Sequence, residues 1–243
     1  MSYLNFDALR AVDALAFRNS KPYPWLNPEG LLTEDGFRTL YETLPDVSKF
    51  DEVFGKARKH GQMSHDRYTL EWREGLDLPK PWADFIEEIR GEAYTAFVRR
   101  MFGCRSFRLR MHWHYTPAGK SVSPHCDSYN KIGSQIFYFS MPGEWDPAWG
   151  GETVILDDQG RFPYRSAPKW EEFASAVPAQ TMGNRSLLFA RKPHSWHGVR
   201  ALACPPGTLR KVFILVYEFN GLVDQTIAQI PVLRSAFAAP ATA

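Results

Sequence analysis

From residue 107 onward the chain alternates. Phe107-Arg108-Leu109-Arg110-Met111-His112-Trp113-His114-Tyr115 sets an apolar side chain at every second position. A period of two marks a strand, because successive side chains leave opposite faces of the backbone. Thr116-Pro117-Ala118-Gly119 then reads as a turn. Further strands are predicted over 135–141, 152–156 and 186–189, in or beside 197–199, and over 211–219, the last and longest. Short strands separated by Gly and Pro turns predict a sandwich or barrel, not a βαβ sheet.

Before residue 105 the period is that of helices. Leu4, Leu9, Val12, Leu15 and Ala16 recur near helical spacing, with Asp7, Arg10 and Asp13 between them, which predicts a helix over 3–18 ended by Pro22 and Pro24. Thr33 is placed to N-cap a second helix over 34–44, with Glu34 and Asp35 in its first turn and Pro45 beyond its end. Pro79-Lys80-Pro81 opens a third, over 82–101, with Gly103 as its stop. Its apolar face (Trp82, Phe85, Ile86, Ile89, Phe97, Met101) is expected to pack on the outside of a sheet. Between helices, 68–72 alternates like a strand. The basic run 56–60 reads as a solvated loop or as a rim that meets an anionic substrate.

The chain is therefore expected to be mainly β (α+β), with residues 1–243 as a single domain. Residues 1–104 form a mainly helical N-terminal region. A strand-rich core follows over 105–220 with an insertion at 157–185, and 221–243 is a tail. Within the insertion, 167–173 is predicted as a short helix.

Composition narrows the function classes. With 29 basic against 27 acidic residues the net charge is +2, which argues against nucleic acid as a partner. Aromatics at 14%, with eight tryptophans, can fill a wide core or line a ligand cleft. No apolar stretch approaches the ~18 residues of a membrane span. Cys104, Cys126 and Cys204 form no CxxC motif, and residues 1–7 lack the basic and apolar regions of a secretory signal, so the expected location is cytoplasmic, with free thiols.

The candidate chemistry lies in the strand-rich core. His125-Cys126-Asp127 offers an imidazole and a carboxylate two residues apart, which on a strand share a face. The pattern is cheap: with seven histidines and 27 acids in 243 residues, roughly one such match arises by chance. His197 and His194 each offer a second imidazole. Two His and one carboxylate form the facial triad of non-haem Fe(II) oxygenases. Arg210 at the start of the final strand is a planar donor suited to a carboxylate, with Lys211 the neighbour on the opposite face. Tyr115 and Tyr138 could add hydroxyl donors or serve as core aromatics.

In this order the motifs resemble the Fe(II)/2-oxoglutarate-dependent dioxygenases, specifically their prolyl-4-hydroxylase-like branch. The resemblance rests on Tyr115, His125-Cys126-Asp127, Tyr138-Phe139-Ser140, Gly150-Gly151-Glu152-Thr153, Ser186-Leu187-Leu188-Phe189, His197-Gly198-Val199 and Gly207-Thr208-Leu209-Arg210. It departs where Ser140 replaces an Asn and where the interval from His197 to Arg210 is long. It implies a double-stranded β-helix (jelly roll) with the N-terminal helices on its outer sheet. It also implies Fe(II) held by His125, Asp127 and His197, with His197 preferred over His194 for its His-Gly-Val context. The cosubstrates would be 2-oxoglutarate and O2, with ascorbate as a candidate reductant. Arg210 would bind the distal carboxylate of 2-oxoglutarate, assisted by Tyr115 and Tyr138.

The implied reaction hydroxylates a C–H bond and yields succinate and CO2; Asp127 argues against halogenation, whose enzymes lack that ligand. A small molecule or saccharide-linked metabolite is the expected substrate, with Trp149, Arg191, Trp196 and Arg161 as candidate contacts. The rival readings are a peptidyl, prolyl-type hydroxylase, a cupin-like metalloenzyme that does not use 2-oxoglutarate, and a non-catalytic jelly-roll binding module.

Overall fold

The computed structural model describes residues 2–221; the expected tail lies, from residue 222, outside the described residues. Numbered along the chain, the strands are β1 (Trp25–Leu26), β2 (Asp51–Val53), β3 (Arg67–Glu71), β4 (Arg108–Pro117), β5 (Val122–His125), β6 (Lys131–Tyr138), β7 (Val154–Asp157), β8 (Ser175–Pro178), β9 (Ser186–Ala190), β10 (Trp196–Val199) and β11 (Leu209–Glu218). They form a seven-stranded sheet in the order β1-β9-β6-β11-β4-β3-β2 and a four-stranded sheet in the order β5-β10-β7-β8. Neighbouring strands in both sheets run antiparallel. Two antiparallel sheets closing on a shared interior are the expected jelly roll, and the alternation that predicted its strands now sorts its two faces.

The parity of β4 and β11 decides what each face does. Met111, Trp113 and Tyr115, with Phe213, Leu215 and Tyr217, enter one buried cluster with the helices. The intervening His112, His114 and Thr116, with Arg210, Ile214 and Val216, line an internal cavity. Helices α4 (Lys80–Arg90) and α5 (Glu92–Phe102) thus cover the outer face of the large sheet, as their apolar stripe predicted. Trp82, fully buried, meets Trp113 and Phe213 edge-on at centroid distances of 5.1 and 5.0 Å. Truncating an aromatic in such a position typically costs about 3–5 kcal/mol.

Several boundaries differ from expectation, each for a local reason. The predicted helix 3–18 is two helices, α1 (Phe6–Ala11) and α2 (Ala14–Asn19). Asp13 stays extended, and its carboxylate caps the Leu15 and Ala16 amides at 2.7 and 3.0 Å. The predicted helix 82–101 breaks at Gly91 (ψ 161°), although its apolar stripe continues across the break. Helix α3 (Glu34–Glu42) starts as expected, with the Thr33 hydroxyl accepting from the Gly36 amide at 3.0 Å.

In the insertion, the predicted helix is only a single 3-10 turn, Trp170–Glu172, and β8 instead extends the small sheet. Elsewhere in the insertion, Phe162, Tyr164, Trp170 and Phe173 pack on Cys126, Val154, Leu156 and Trp196.

Candidate metal centre

Strand register brings the site together. His125 at the end of β5 is the direct cross-strand partner of His197 in β10, and the two rings lie 4.4 Å apart between centroids. Directly opposed residues on antiparallel strands share a face. Asp127 follows two residues beyond His125 and completes a cluster whose possible ligand atoms all lie within 4.8 Å of one another.

Both imidazoles are oriented by the backbone. His125 Nδ1 faces the Ser123 carbonyl at 2.9 Å and His197 Nδ1 faces the Ser195 carbonyl at 3.0 Å. A carbonyl can only accept, so Nδ1 carries the proton and Nε2 keeps its lone pair. Burial lowers both imidazole pKa values, that of His125 well below the ordinary value, so both rings are neutral near pH 7. For Asp127, burial opposes the charge, but Lys131, His197 and His125 outweigh it and hold the carboxyl below the usual range. The Lys131 ammonium donates to Asp127 Oδ1 at 2.7 Å. Two neutral imidazoles and an ionised carboxylate are a donor set suited to a divalent transition metal.

The cluster opens onto a cavity of ≈ 690 Å³ between the sheets. Arg210 lines it, only 5% exposed. Its Nε donates to the Gly151 carbonyl and its Nη2 to Thr153 Oγ1 at 3.4 Å. No carboxylate bridges it among the described residues. Gly151 (φ 101°) is required here: a Cβ would sit 3.1 Å from the Trp145 ring and 3.3 Å from Arg210 Cδ. Gly198 serves packing beside His197, where a Cβ would meet the Val122 carbonyl at 2.7 Å and the Trp170 ring at 2.9 Å. The Arg210 guanidinium lies 5.6 Å over the Tyr138 ring, and the buried Tyr138 hydroxyl has no hydrogen-bond partner among the described residues. The Arg210 guanidinium, with no ionic partner among the described residues, is suited to a carboxylate in the cavity, whereas Tyr138 is not itself among the cavity residues.

Other expected contacts are placed elsewhere. Tyr115 is corrected: it lies on the helix-facing side, stacks on Phe50 and donates its hydroxyl to the Pro45 carbonyl at 2.9 Å. Its cross-strand partner is Lys211, and that pairing puts Lys211 on the face opposite Arg210. Trp196 is corrected too: it points out of the small sheet, with Nε1 donating to Asp158 at 3.1 Å. Arg161 bonds the carbonyls of Asp158 and Glu172 in the insertion, away from the cavity. Trp149 packs edge-on against Trp145 and is not among the cavity residues.

Arg191 sits behind the cluster. Its guanidinium lies 3.8 Å over the Tyr129 ring, and its Nε donates to the Asp127 carbonyl at 3.1 Å. His194 lies outside the cluster, its Nδ1 2.8 Å from Asp158 Oδ2.

Sequence reasoning missed much of the lining. His60, His65, His112, His114, His125 and His197 all border this one cavity, so that of the seven histidines only His194 is elsewhere. The His65 ring lies 4.5 Å from that of His125. Burial, reinforced by Lys131, Arg110 and Arg67, depresses His112 to about 3. The basic run 56–60, expected as a solvated loop or a substrate rim, sends the half-buried Arg58 to the cavity wall while Lys56 stays exposed.

No protein-family model and no curated protein sequence matches the chain. Solved structures do. A prolyl-4-hydroxylase from Pseudomonas putida is 13% identical with a TM-score of 0.57, over 85% of this chain and 98% of that one. A Trichoplax adhaerens prolyl hydroxylase, in complex with a hypoxia-inducible-factor peptide fragment, is 12% identical with a TM-score of 0.56, over 92% and 93%. The non-haem α-ketoglutarate-dependent carbocyclase SnoK of nogalamycin biosynthesis is 10% identical with a TM-score of 0.58, over 92% of each chain. The scaffold that brings His125, Asp127 and His197 together is thus the jelly-roll fold of the prolyl-4-hydroxylases and other 2-oxoglutarate–Fe(II) oxygenases.

Proposed function

We propose that the protein is an Fe(II)- and 2-oxoglutarate-dependent dioxygenase that hydroxylates a C–H bond of a small molecule or saccharide-linked metabolite, with succinate and CO2 as co-products. One observation carries the reading: the His125, Asp127, His197 cluster shares a cavity with Arg210, a buried guanidinium without an ionic partner among the described residues. His125, Asp127 and His197 would hold the iron, and the bound metal with its cosubstrate supplies the oxidising chemistry.

The chain's own residues orient and insulate. The Ser123 and Ser195 carbonyls fix both imidazoles with Nε2 free. Lys131 holds the Asp127 carboxylate, and Arg191 holds the Asp127 main-chain carbonyl. Arg210 would pair with the distal carboxylate of 2-oxoglutarate. Ile136, Phe189, Ile214 and Val216 line the same cavity and limit water there.

A volume of ≈ 690 Å³ suits a small ligand. This is in keeping with a small-molecule substrate, with a peptidyl substrate as the alternative, since one structural neighbour was solved with a peptide. The three cysteines are free thiols, in keeping with a cytoplasmic location, and among the described residues no helix is long and apolar enough to cross a membrane. Ascorbate enters as an accessory reductant.

The test is direct. Purified protein given Fe(II) and 2-oxoglutarate in air should form succinate above a metal-free control, slowly even without primary substrate. Metal shown to be bound with no succinate formed would reject the reading.

A further inference from the structure

We propose that Arg58 and Arg67 form the subsite for an anionic group of the primary substrate, a carboxylate or a phosphate monoester. Calling that ligand the substrate rests on the oxygenase reading; the anion site itself rests on the charges of the cavity wall.

Six basic residues border the cavity (Arg58, Lys59, Arg67, Arg110, Lys131 and Arg210), against two acids, Glu71 and Asp127. Both acids are engaged. Glu71 accepts from Arg110 at 2.7 and 3.0 Å, and Asp127 accepts from Lys131 and belongs to the metal cluster. Arg210 is assigned to the cosubstrate, and Lys59 is exposed.

Arg58 and Arg67 remain, and neither has a salt bridge among the described residues. The contacts they make are neutral. Arg67 donates Nη1 to the His65 carbonyl at 2.7 Å and Nε to His114 Nε2 at 3.2 Å. Arg58 donates Nε to Gln62 at 3.3 Å. Nη2 of Arg67 and both terminal nitrogens of Arg58 have no protein partner among the described residues.

These guanidiniums are not ordinary surface charges. Burial disfavours the charge of each, and Arg58 adds repulsion at Arg67. A partly buried cation without an acid is costly unless a ligand supplies the counter-charge. Asp127, which favours the charge on Arg58, already accepts from Lys131 and belongs to the metal cluster, and Thr69, His112, His114 and Thr116 are uncharged, because burial keeps both histidines neutral. A planar guanidinium fork matches the paired oxygens of a carboxylate or phosphate.

The placement also suits catalysis. Arg67 holds the His65 carbonyl, and the His65 ring rests against the ligand His125. An anion tethered here would anchor the substrate beside the cluster while leaving Arg210 to 2-oxoglutarate.

The experiment titrates inorganic phosphate and, separately, acetate into the metal-free full chain at low ionic strength by calorimetry. Mn(II)-loaded protein is titrated with 2-oxoglutarate in parallel. The variants are Arg210→Gln and, alone or added to it, Arg58→Gln, Arg67→Gln and Arg67→Lys. Arg58→Gln disturbs only a contact to Gln62, so it reports on the site even if Arg67→Gln alters the fold.

The expected result is saturable anion binding that persists in Arg210→Gln, which lacks the cosubstrate-binding guanidinium, and that is weakened about tenfold or more when Arg58→Gln or Arg67→Gln is added to it, less by Arg67→Lys. Tighter phosphate than acetate indicates a phosphate ester; the reverse indicates a carboxylate. Absent anion binding in Arg210→Gln, or affinity unchanged when Arg58→Gln is added to it, overturns the subsite. Loss of 2-oxoglutarate affinity in Arg58→Gln overturns it too, by making these arginines cosubstrate ligands. If 2-oxoglutarate fails to bind wild type while the anion effects hold, the oxygenase reading falls and the anion site stands.

Discussion

Arg210→Gln should selectively remove the affinity for 2-oxoglutarate. Arg210 is 5% exposed and, among the described residues, is hydrogen-bonded only to the Gly151 carbonyl and Thr153 Oγ1. Its charge is therefore held for a ligand, in a place where salt screens little. Two charge-assisted hydrogen bonds at roughly 1.5–3 kcal/mol each, or the loss of one partner from a buried charged pair, put the effect at about 3–5 kcal/mol. That is ~10²- to 10⁴-fold in Kd.

Arg210→Lys keeps the charge but loses the fork and should fall between, at about 10- to 100-fold. Lys211→Gln should change nothing beyond twofold, because Lys211 faces the helix side with its Nζ 5.9 Å over the Tyr115 ring. The assay is calorimetric titration of 2-oxoglutarate into Mn(II)-loaded protein, with metal affinity measured first as the control. A Kd for Arg210→Gln within threefold of wild type would refute the assignment, and so would an equal loss in Lys211→Gln.

Three further outcomes follow from the same geometry. Gly151→Ala should cost about 1–3 kcal/mol of stability and weaken 2-oxoglutarate binding, because a Cβ at φ 101° meets Trp145 and Arg210; unchanged thermal unfolding and affinity would contradict it. Asp158→Ala should destabilise by roughly 3 kcal/mol in urea unfolding, because its carboxylate accepts from the Gly160 and Phe162 amides and from Trp196 and also faces His194; an unaltered midpoint would show that the insertion is held by its aromatics alone. His112 is depressed to about 3 against about 6.5 when unfolded, so between those values the unfolded chain binds more protons and stability falls with falling pH. His112→Gln should therefore flatten the metal-free protein's loss of stability between pH 6.5 and 4, by up to ~1.4 kcal/mol per pH unit; an unchanged slope in urea unfolding at stepped pH would contradict that.

What the sequence showed and hid follows from the range of each interaction. Strands were legible because alternation is local, and the α3 start was legible because a Thr cap acts within one turn. The breaks at Asp13 and Gly91 were hidden because apolar spacing runs on across both. The pairing of His125 with His197 depends on register between distant segments, which local pattern does not encode. Tyr115 was misplaced although the signal was present: it shares parity with Trp113 and Met111, whereas His112, His114 and Thr116 carry the polar parity that faces the cavity. Trp196 likewise shares a strand with His197 but has the opposite parity. The role of Arg67 became visible only once β3 paired with β4 and carried it to His114.

Stoichiometry of metal and cosubstrate tests the central claim most directly. Protein is loaded with Fe(II) without oxygen, titrated with 2-oxoglutarate, then exposed to O2 while succinate is counted against 2-oxoglutarate consumed. The expected result is stoichiometric Fe(II) in wild type, its loss in His125→Ala and His197→Ala, metal-dependent 2-oxoglutarate binding, and succinate formed only after O2 is admitted. Full Fe(II) loading and undiminished succinate in His125→Ala would contradict the site, and Fe(II)-loaded wild type that leaves 2-oxoglutarate untouched would contradict the chemistry.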